Sequence, residues 1–441
     1  MYILKEVFCV KKFLLVFLLV AFAAFGFSQT IQFWHAMSGW RIDWFNEKAA
    51  EFNELHPDIT VEVQYTGSYR DTLNKLIAAV QAGNPPHVVQ IFELGTQLMI
   101  DGGIAVPMQE LIDSDPTFDV GNFMPQVLSY YRVDGKLYSM PFNSSNAIVY
   151  YNKTLFEEAG LDPDKPPRTF EEFKEVSKKI TQYYDGNVVG FGFNLHSWFF
   201  EELMAAQSAL MCDNNNGRTG RATKAVFNND AGLRIFNFLN DLYESDTMVK
   251  TKPEDWATAR NLFFSQKAAM IMSSTSDVAL MIQNSKENNF EFGTVFLPAA
   301  EGAPAGGAAI GGGSLWIIDG NPEEEIQAAW EFVKWMADTE RQIDWHQNTG
   351  YFPVKKDAVE QLLFEGYYAE YPDHLTAIMQ LLLSEQNYGS RGAIIGAYPE
   401  IRTIIEDALV KMFDDEMTPA EALEWAEERS TAAIEEYNEV Y

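Results

Sequence analysis

Residues 141–153 read PFNSSNAIVYYNK. A proline opens the stretch and an apolar, β-rich run closes it. Between them stand Asn143, Ser144, Ser145 and Asn146, four hydrogen-bonding side chains without charge. Such a group either makes a plain turn or offers neutral donors and acceptors to something held beside it. Other chemistries leave weaker marks. The six histidines, at 35, 56, 87, 196, 346 and 374, show no H-x-x-x-H or other metal-ligand spacing, and there is no G-x-S-x-G elbow. No cofactor is expected. Carboxylates are so abundant that an exported hydrolase with a glycosidase-type pair stays open as an alternative.

The elements around these residues alternate. TIQFWH reads as a strand. Ile42, Phe45, Ala49 and Phe52 then recur at helical spacing up to Pro57, and ITVEVQY alternates with a period of two. Leu73, Leu76, Ile77 and Val80 mark a second helix, ended by AGNPP, and HVVQIFE is apolar throughout, like a strand buried on both faces. Strand–helix–strand–helix–strand argues for an open α/β sheet, and ligands of such sheets bind beyond the carboxyl ends of the strands, where Tyr69 and Glu93 fall. NPEEEIQAAWEFVKWM predicts a helix with Asn321 as cap and Pro322 in its first turn, and TPAEALEWAEERSTAAIEEYNEVY predicts another. EGAPAGGAAIGGG starts as a loop, and its last glycines run into the strand SLWII.

Lys5, Lys11 and Lys12 precede the apolar run FLLVFLLVAFAAF, and GFS closes it with small residues at the positions a signal peptidase reads. Residues 1–28 are therefore expected to be a cleaved leader and the protein to be periplasmic. The whole chain holds 32 basic and 63 acidic side chains. Loss of three lysines and Glu6 with the leader takes the net charge from −31 to −33. That balance argues against nucleic acid or an anionic membrane surface as partner, and it requires any anionic ligand to meet local positive charge or aimed N–H groups. Cys212 is the one cysteine beyond the leader, so no intramolecular disulfide is expected. A hydrophobic share of 47% is ample for a core without one.

FWHAMSG, YTGSYRDTLNKLIAAVQAGNPP, IFELGT, MPFNSSNAIVYYNKTLFEEAGLDPDKPPRTFEEF, IGGGSLWI and WHQNTGYFPV resemble, in order and spacing, the glycerol-3-phosphate branch of the extracellular solute-binding proteins of bacterial ABC importers. The wider family includes maltose-binding protein. The resemblance covers nearly the whole chain after the leader. It implies a type II periplasmic-binding-protein fold, two discontinuous α/β lobes that close on a ligand, with lobe 1 at 29–141 and 313–350 and lobe 2 at 142–312 and 351–441. It also implies a non-enzymatic, monomeric binding protein that captures glycerol-3-phosphate or a glycerophosphodiester and delivers it to permease subunits. A sugar is the alternative ligand.

By motif the resemblance assigns ligand contacts to Tyr69, Glu93, Ser145 with Ser144 beside it, Ser274, Gly312 and Tyr351, and an aromatic platform to Trp198. A carboxylate such as Glu93 accepts two hydroxyls of a polyol, while serine hydroxyls and a glycine N–H donate to phosphate oxygens. Each residue also has a plainer reading: core packing for Tyr69, Tyr351 and Trp198, helix capping for Glu93 and Ser274, relief of strand crowding for Gly312. The branch further carries an arginine two residues before the glycine of its G-x-x-P motif. In SRGAIIGAYPEIR that place is Ile394, and Arg391 lies three residues earlier. Arg391 is the expected phosphate partner, by a small shift of its loop.

Overall fold

The computed structural model describes residues 28–441; the expected leader lies outside them, apart from Ser28. Two sheets organise the chain. In the first, Ile59–Tyr65, Gln29–His35 and Val88–Phe92 run parallel, and Gly311–Ile318 lies antiparallel beside Val88–Phe92. Met140–Ser145 and Ala105–Val106 complete this sheet against Gly311–Ile318. The second sheet has the order Met248–Lys250, Val189–Phe193, Ala268–Ser274, Ala147–Asn152, Phe292–Val295. Ala147–Asn152 runs antiparallel to both of its neighbours, Ala268–Ser274 and Phe292–Val295. The two sheets with their helices form the two lobes.

The alternating elements read from the N-terminal sequence are present. Val88–Phe92 is buried at every position, as its unbroken apolar run requires. The helix Trp40–Leu55 buries Trp44, Phe45, Ala49 and Phe52. Ser68 and Asp71 form a capping box that starts the helix Tyr69–Gln81 just beyond the strand Ile59–Tyr65. The predicted C-terminal helix spans Pro419–Val440 with a second such box at Thr418 and Glu421. At Glu323–Met336 the cap differs from expectation: Pro322 takes the N-cap position, and the Asn321 amide donates instead to Pro86 O and Ile318 O. Proline supplies the geometry of the helix start, which frees Asn321 to tie the preceding strand end to its neighbour.

The chain changes sheets within one residue. Met140–Ser145 belongs to the first sheet and Ala147–Asn152 to the second, with only Asn146 between. Main-chain bonds bind this point to the other passages between the lobes. Ser144 and Gly312 are register partners, Phe352 N donates to Ser144 O at 3.1 Å, and Thr275 N donates to Asn146 O at 3.0 Å. Gly312 has φ +95°, and a Cβ there would lie 2.0 Å from Asn143 O, so no other residue fits. Cys212 is fully buried and unpaired. No helix among the described residues is long and apolar enough to cross a membrane.

Candidate functional site

Between the lobes lies a cleft of about 360 Å³. Seven of the residues assigned from sequence line it: Tyr69, Glu93, Ser145, Trp198, Ser274, Gly312 and Tyr351. Each is placed by the end of an element. Tyr69 opens its helix, Glu93 begins the 3-10 turn Glu93–Gly95 directly after Val88–Phe92, and Ser274 ends the strand Ala268–Ser274. Trp198 stands in the first turn of the helix Ser197–Ala206, its ring against Gly311, where a Cβ would lie 2.6 Å from the indole. Tyr69 stacks on Phe92 and accepts from Asn143 Nδ2 at 2.8 Å, and Tyr351 stacks on Trp345. These contacts fix both rings while leaving an edge in the cleft.

Two of the residues assigned from sequence do not line the cleft. Ser144 is fully buried and does not line the cleft. Successive residues of a strand face opposite sides, so Ser145 in the cleft puts Ser144 behind it. Arg391 is also elsewhere: its Nη2 donates to Ser129 O at 3.3 Å and its guanidinium lies over Tyr388. Gly392, next to it, packs against the Tyr130 ring. Three arginines line the cleft, Arg70, Arg260 and Arg402, and the last stands in the helix Tyr398–Phe413.

Arg402 is almost fully buried and bridges the lobes. Its Nη2 donates to Glu93 Oε1 at 2.7 Å and to Glu201 Oε2 at 2.9 Å, and its Nε donates to Glu201 Oε1 at 2.6 Å. Burial opposes its charge, but Glu201 and then Glu93 raise its pKa well above the ordinary value. Burial pushes the Glu93 carboxyl upward despite that partner. Beside Glu201, Glu202 is fully buried. Ala309 N donates to its Oε2 at 3.0 Å, its Oε1 has no partner among the described residues, and desolvation drives its pKa upward. One hydrogen-bonding end of the guanidinium, Nη1, has no protein partner.

At another wall, His196 caps the helix Ser197–Ala206 by accepting from Trp198 N through Nδ1 at 3.1 Å, which leaves the proton on Nε2. Glu406, one turn after Arg402, accepts from Ser197 N and Oγ and comes within 3.5 Å of His196 Nδ1. Burial, above all, lifts the Glu406 pKa to about 7 and lowers that of His196 well below its ordinary value. Arg70 joins Glu254 at 3.1 Å and Pro399 O at 2.7 Å, and Arg260 joins Asp277 at 2.8 Å. Outside the cleft, Arg221 grips Asp101 through Nη1 at 3.1 Å and Nη2 at 2.9 Å, and Tyr437 donates to the same carboxylate. Sequence reasoning missed Arg402, Glu201, Glu406, His196 and Trp256. Its one usable signal was the four-residue spacing of Tyr398, Arg402 and Glu406 on a helix begun by Pro399.

Comparison with known proteins agrees with this architecture. The profile of the family described as bacterial extracellular solute-binding protein matches residues 47–376. The chain is 32% identical over 416 residues to the sn-glycerol-3-phosphate-binding periplasmic protein UgpB of Pectobacterium atrosepticum, covering 93% of this chain and 92% of that protein. To UgpB of Escherichia coli K12 it is 30% identical over 415 residues, 92% and 93% of the two chains. Among solved structures, UgpB of Mycobacterium tuberculosis in complex with glycerophosphocholine superposes with a TM-score of 0.77 at 21% identity, over 94% of this chain and all of that one. The GacH receptor of Streptomyces glaucescens, solved unliganded and with acarbose, gives 0.76 at 19% identity, over 93% and 99%.

Proposed function

Because the chain belongs to the bacterial extracellular solute-binding proteins, the binding components of ABC importers, we propose that its ligand is a phosphorylated glycerol, glycerol-3-phosphate or a glycerophosphodiester. The observation that carries this reading is Arg402 in the cleft lining, anchored by Glu93 and Glu201, with Ser145, Ser274 and Gly312 in the same lining. A guanidinium held rigid by two carboxylates presents its remaining N–H groups to a phosphate without first being ordered. The hydroxyls of Ser145 and Ser274 and the N–H of Gly312 supply further donors, and glycine lets the phosphate approach the main chain. Glu93, with one oxygen on Arg402, keeps the other for glycerol hydroxyls.

Capture proceeds by rotation of the lobes about the braid at Ser144–Asn146, Gly312 and Phe352, with lobe 1 contributing Tyr69 and Glu93 and lobe 2 contributing Trp198, Ser274 and Arg402. The protein acts after export, as a monomer, and hands its ligand to permease subunits; it performs no chemistry on it. Calorimetry with glycerol-3-phosphate, glycerophosphocholine and maltose tests the reading. A phosphate compound should bind, Glu93→Gln should weaken it about tenfold or more, and Arg391→Ala should leave its affinity unchanged. Binding of maltose alone would make this a sugar-binding member of the family. Product formation during incubation with a diester would overturn the non-enzymatic reading.

A further inference from the structure

The three arginines of the cleft differ in what holds them. Arg402 is shared between two carboxylates, Glu93 and Glu201. Arg70 belongs to the helix Tyr69–Gln81 of the first sheet's lobe and takes its partners, Glu254 and Pro399 O, from the other. Each of these two therefore depends on a contact that exists only while the lobes are together. Arg260 does not. It stands in the helix Trp256–Phe264, just before the strand Ala268–Ser274, and its partner Asp277 ends the 3-10 turn Thr275–Asp277 directly after that strand. The pair, 2.8 Å from Nη1 to Oδ1, lies within one lobe and is present whether the cleft is open or closed.

Its surroundings hold it rigid and leave it free to donate. Asp277 is 2% exposed, and its second oxygen accepts from Ser273 Oγ at 2.6 Å, so a fixed carboxylate orients the guanidinium. Nε and Nη2 of Arg260 make no hydrogen bond among the described residues and are not buried. Ser274 and Ser276, in the same cleft lining, belong to the strand end and turn that carry Asp277. Ser274 Oγ accepts from Ser276 N at 3.2 Å, which leaves its own proton to give away, and the Ser276 hydroxyl has no partner among the described residues. A guanidinium edge beside two free hydroxyls is a donor set for an anionic oxygen.

Closure adds charge at this turn. Arg41, in the helix Trp40–Leu55 of the first sheet's lobe, donates from Nη2 to Ser276 O at 3.2 Å and enters no ion pair among the described residues. Two guanidiniums thus meet the turn around one carboxylate, the reverse of Arg402, where two carboxylates share one guanidinium. Arg402 offers an anion aimed N–H groups, and the turn offers it net charge.

We propose that Arg260, with the hydroxyls of Ser274 and Ser276, is the first seat of the ligand's anionic group, set before the lobes close, and that Arg41 completes its charge on closure. The proposal rests on the reading of the cleft as a phosphate site and adds the residues at which capture begins.

Calorimetry and stopped-flow tryptophan fluorescence on the processed protein test it with glycerol-3-phosphate, glycerophosphocholine and maltose. Arg260→Gln should weaken both phosphate compounds about tenfold or more, mainly through slower association, and Arg260→Lys should recover part of that loss. Arg41→Gln should weaken them about threefold through faster dissociation, because its contact arrives with closure. Arg260→Gln combined with Asp277→Asn removes both members of the buried pair and should regain thermal stability without regaining affinity. Phosphate affinity within about twofold of wild type in Arg260→Gln, or affinity restored in the double variant, would reduce Arg260 to a partner of Asp277 and overturn the proposal while the phosphate site stands. A loss in Arg260→Gln carried wholly by dissociation would put Arg260 among the late contacts and overturn its place as first seat. If maltose alone binds the wild type, the phosphate reading of the cleft fails, and the seat falls with it.

Discussion

Two of the ion pairs that join the lobes are built differently. Arg402 meets Glu93 inside the cleft with both side chains less than a tenth exposed, whereas Arg221 meets Asp101 at the margin with about a third of the arginine in solvent. The inner pair is one edge of a desolvated network in which each charge depends on its partners. The outer pair is a bidentate clamp backed by Tyr437 and Asn438, in contact with salt and water. Desolvated charges are costly to leave alone, and exposed ones are cheap to lose. The comparison separates a contact that defines the site from one that only biases how long the lobes stay together.

Arg402→Ala should have the largest effect. It strands Glu93 and Glu201 in a buried cleft, and removing one partner of a buried pair costs about 3–5 kcal/mol. Thermal or denaturant unfolding at neutral pH should show that loss, together with loss of ligand binding; an unchanged transition would mean the network is solvated. Glu406→Gln sharpens the same contrast through pH. The wild-type carboxyl has a folded-state value raised from 4.5 to about 7. Its contribution is thus fully present below about pH 4.5 and is lost as pH rises through 7, a swing of about 3 kcal/mol. The variant should match the wild type in acid and exceed it in stability at pH 8, and parallel curves across that range would refute the assignment. Arg221→Ala is the smallest. It should cost at most about 1 kcal/mol, vanish in 1 M salt, and shift small-angle scattering of the free protein toward a more open shape.

Much of the cleft was legible because its residues sit at the ends of strongly patterned elements. Tyr69 stands inside a capping box and Glu93 follows an unbroken apolar strand, so pattern set both beyond strand ends, while Gly312, before SLWII, came from the resemblance. Alternation along a strand also had the information to separate Ser145 from Ser144. Arg402 was hidden for a tertiary reason. Its role is set by Glu201, some two hundred residues away, and by Glu93, over three hundred away, and no local spacing announces such pairs. Arg391 looked suitable because an arginine near the motif glycine was expected there. Its contacts with Ser129 O and Tyr388, outside the cleft lining, are not announced by the motif. The strand order of the second sheet was equally out of reach, since Ala147–Asn152 pairs on both sides with strands more than a hundred residues later.

The braid at the crossover has one more consequence. The Phe352–Ser144 and Thr275–Asn146 bonds and the Ser144–Gly312 pairing are main-chain contacts, while every group proposed to meet the ligand, apart from the Gly312 N–H, is a side chain. The pivot and the payload are thus written in separate alphabets. Substitutions that exchange one cargo for another leave the axle untouched, provided the glycine at 312 is kept. A new specificity can therefore be fitted to this chassis without re-engineering its stroke.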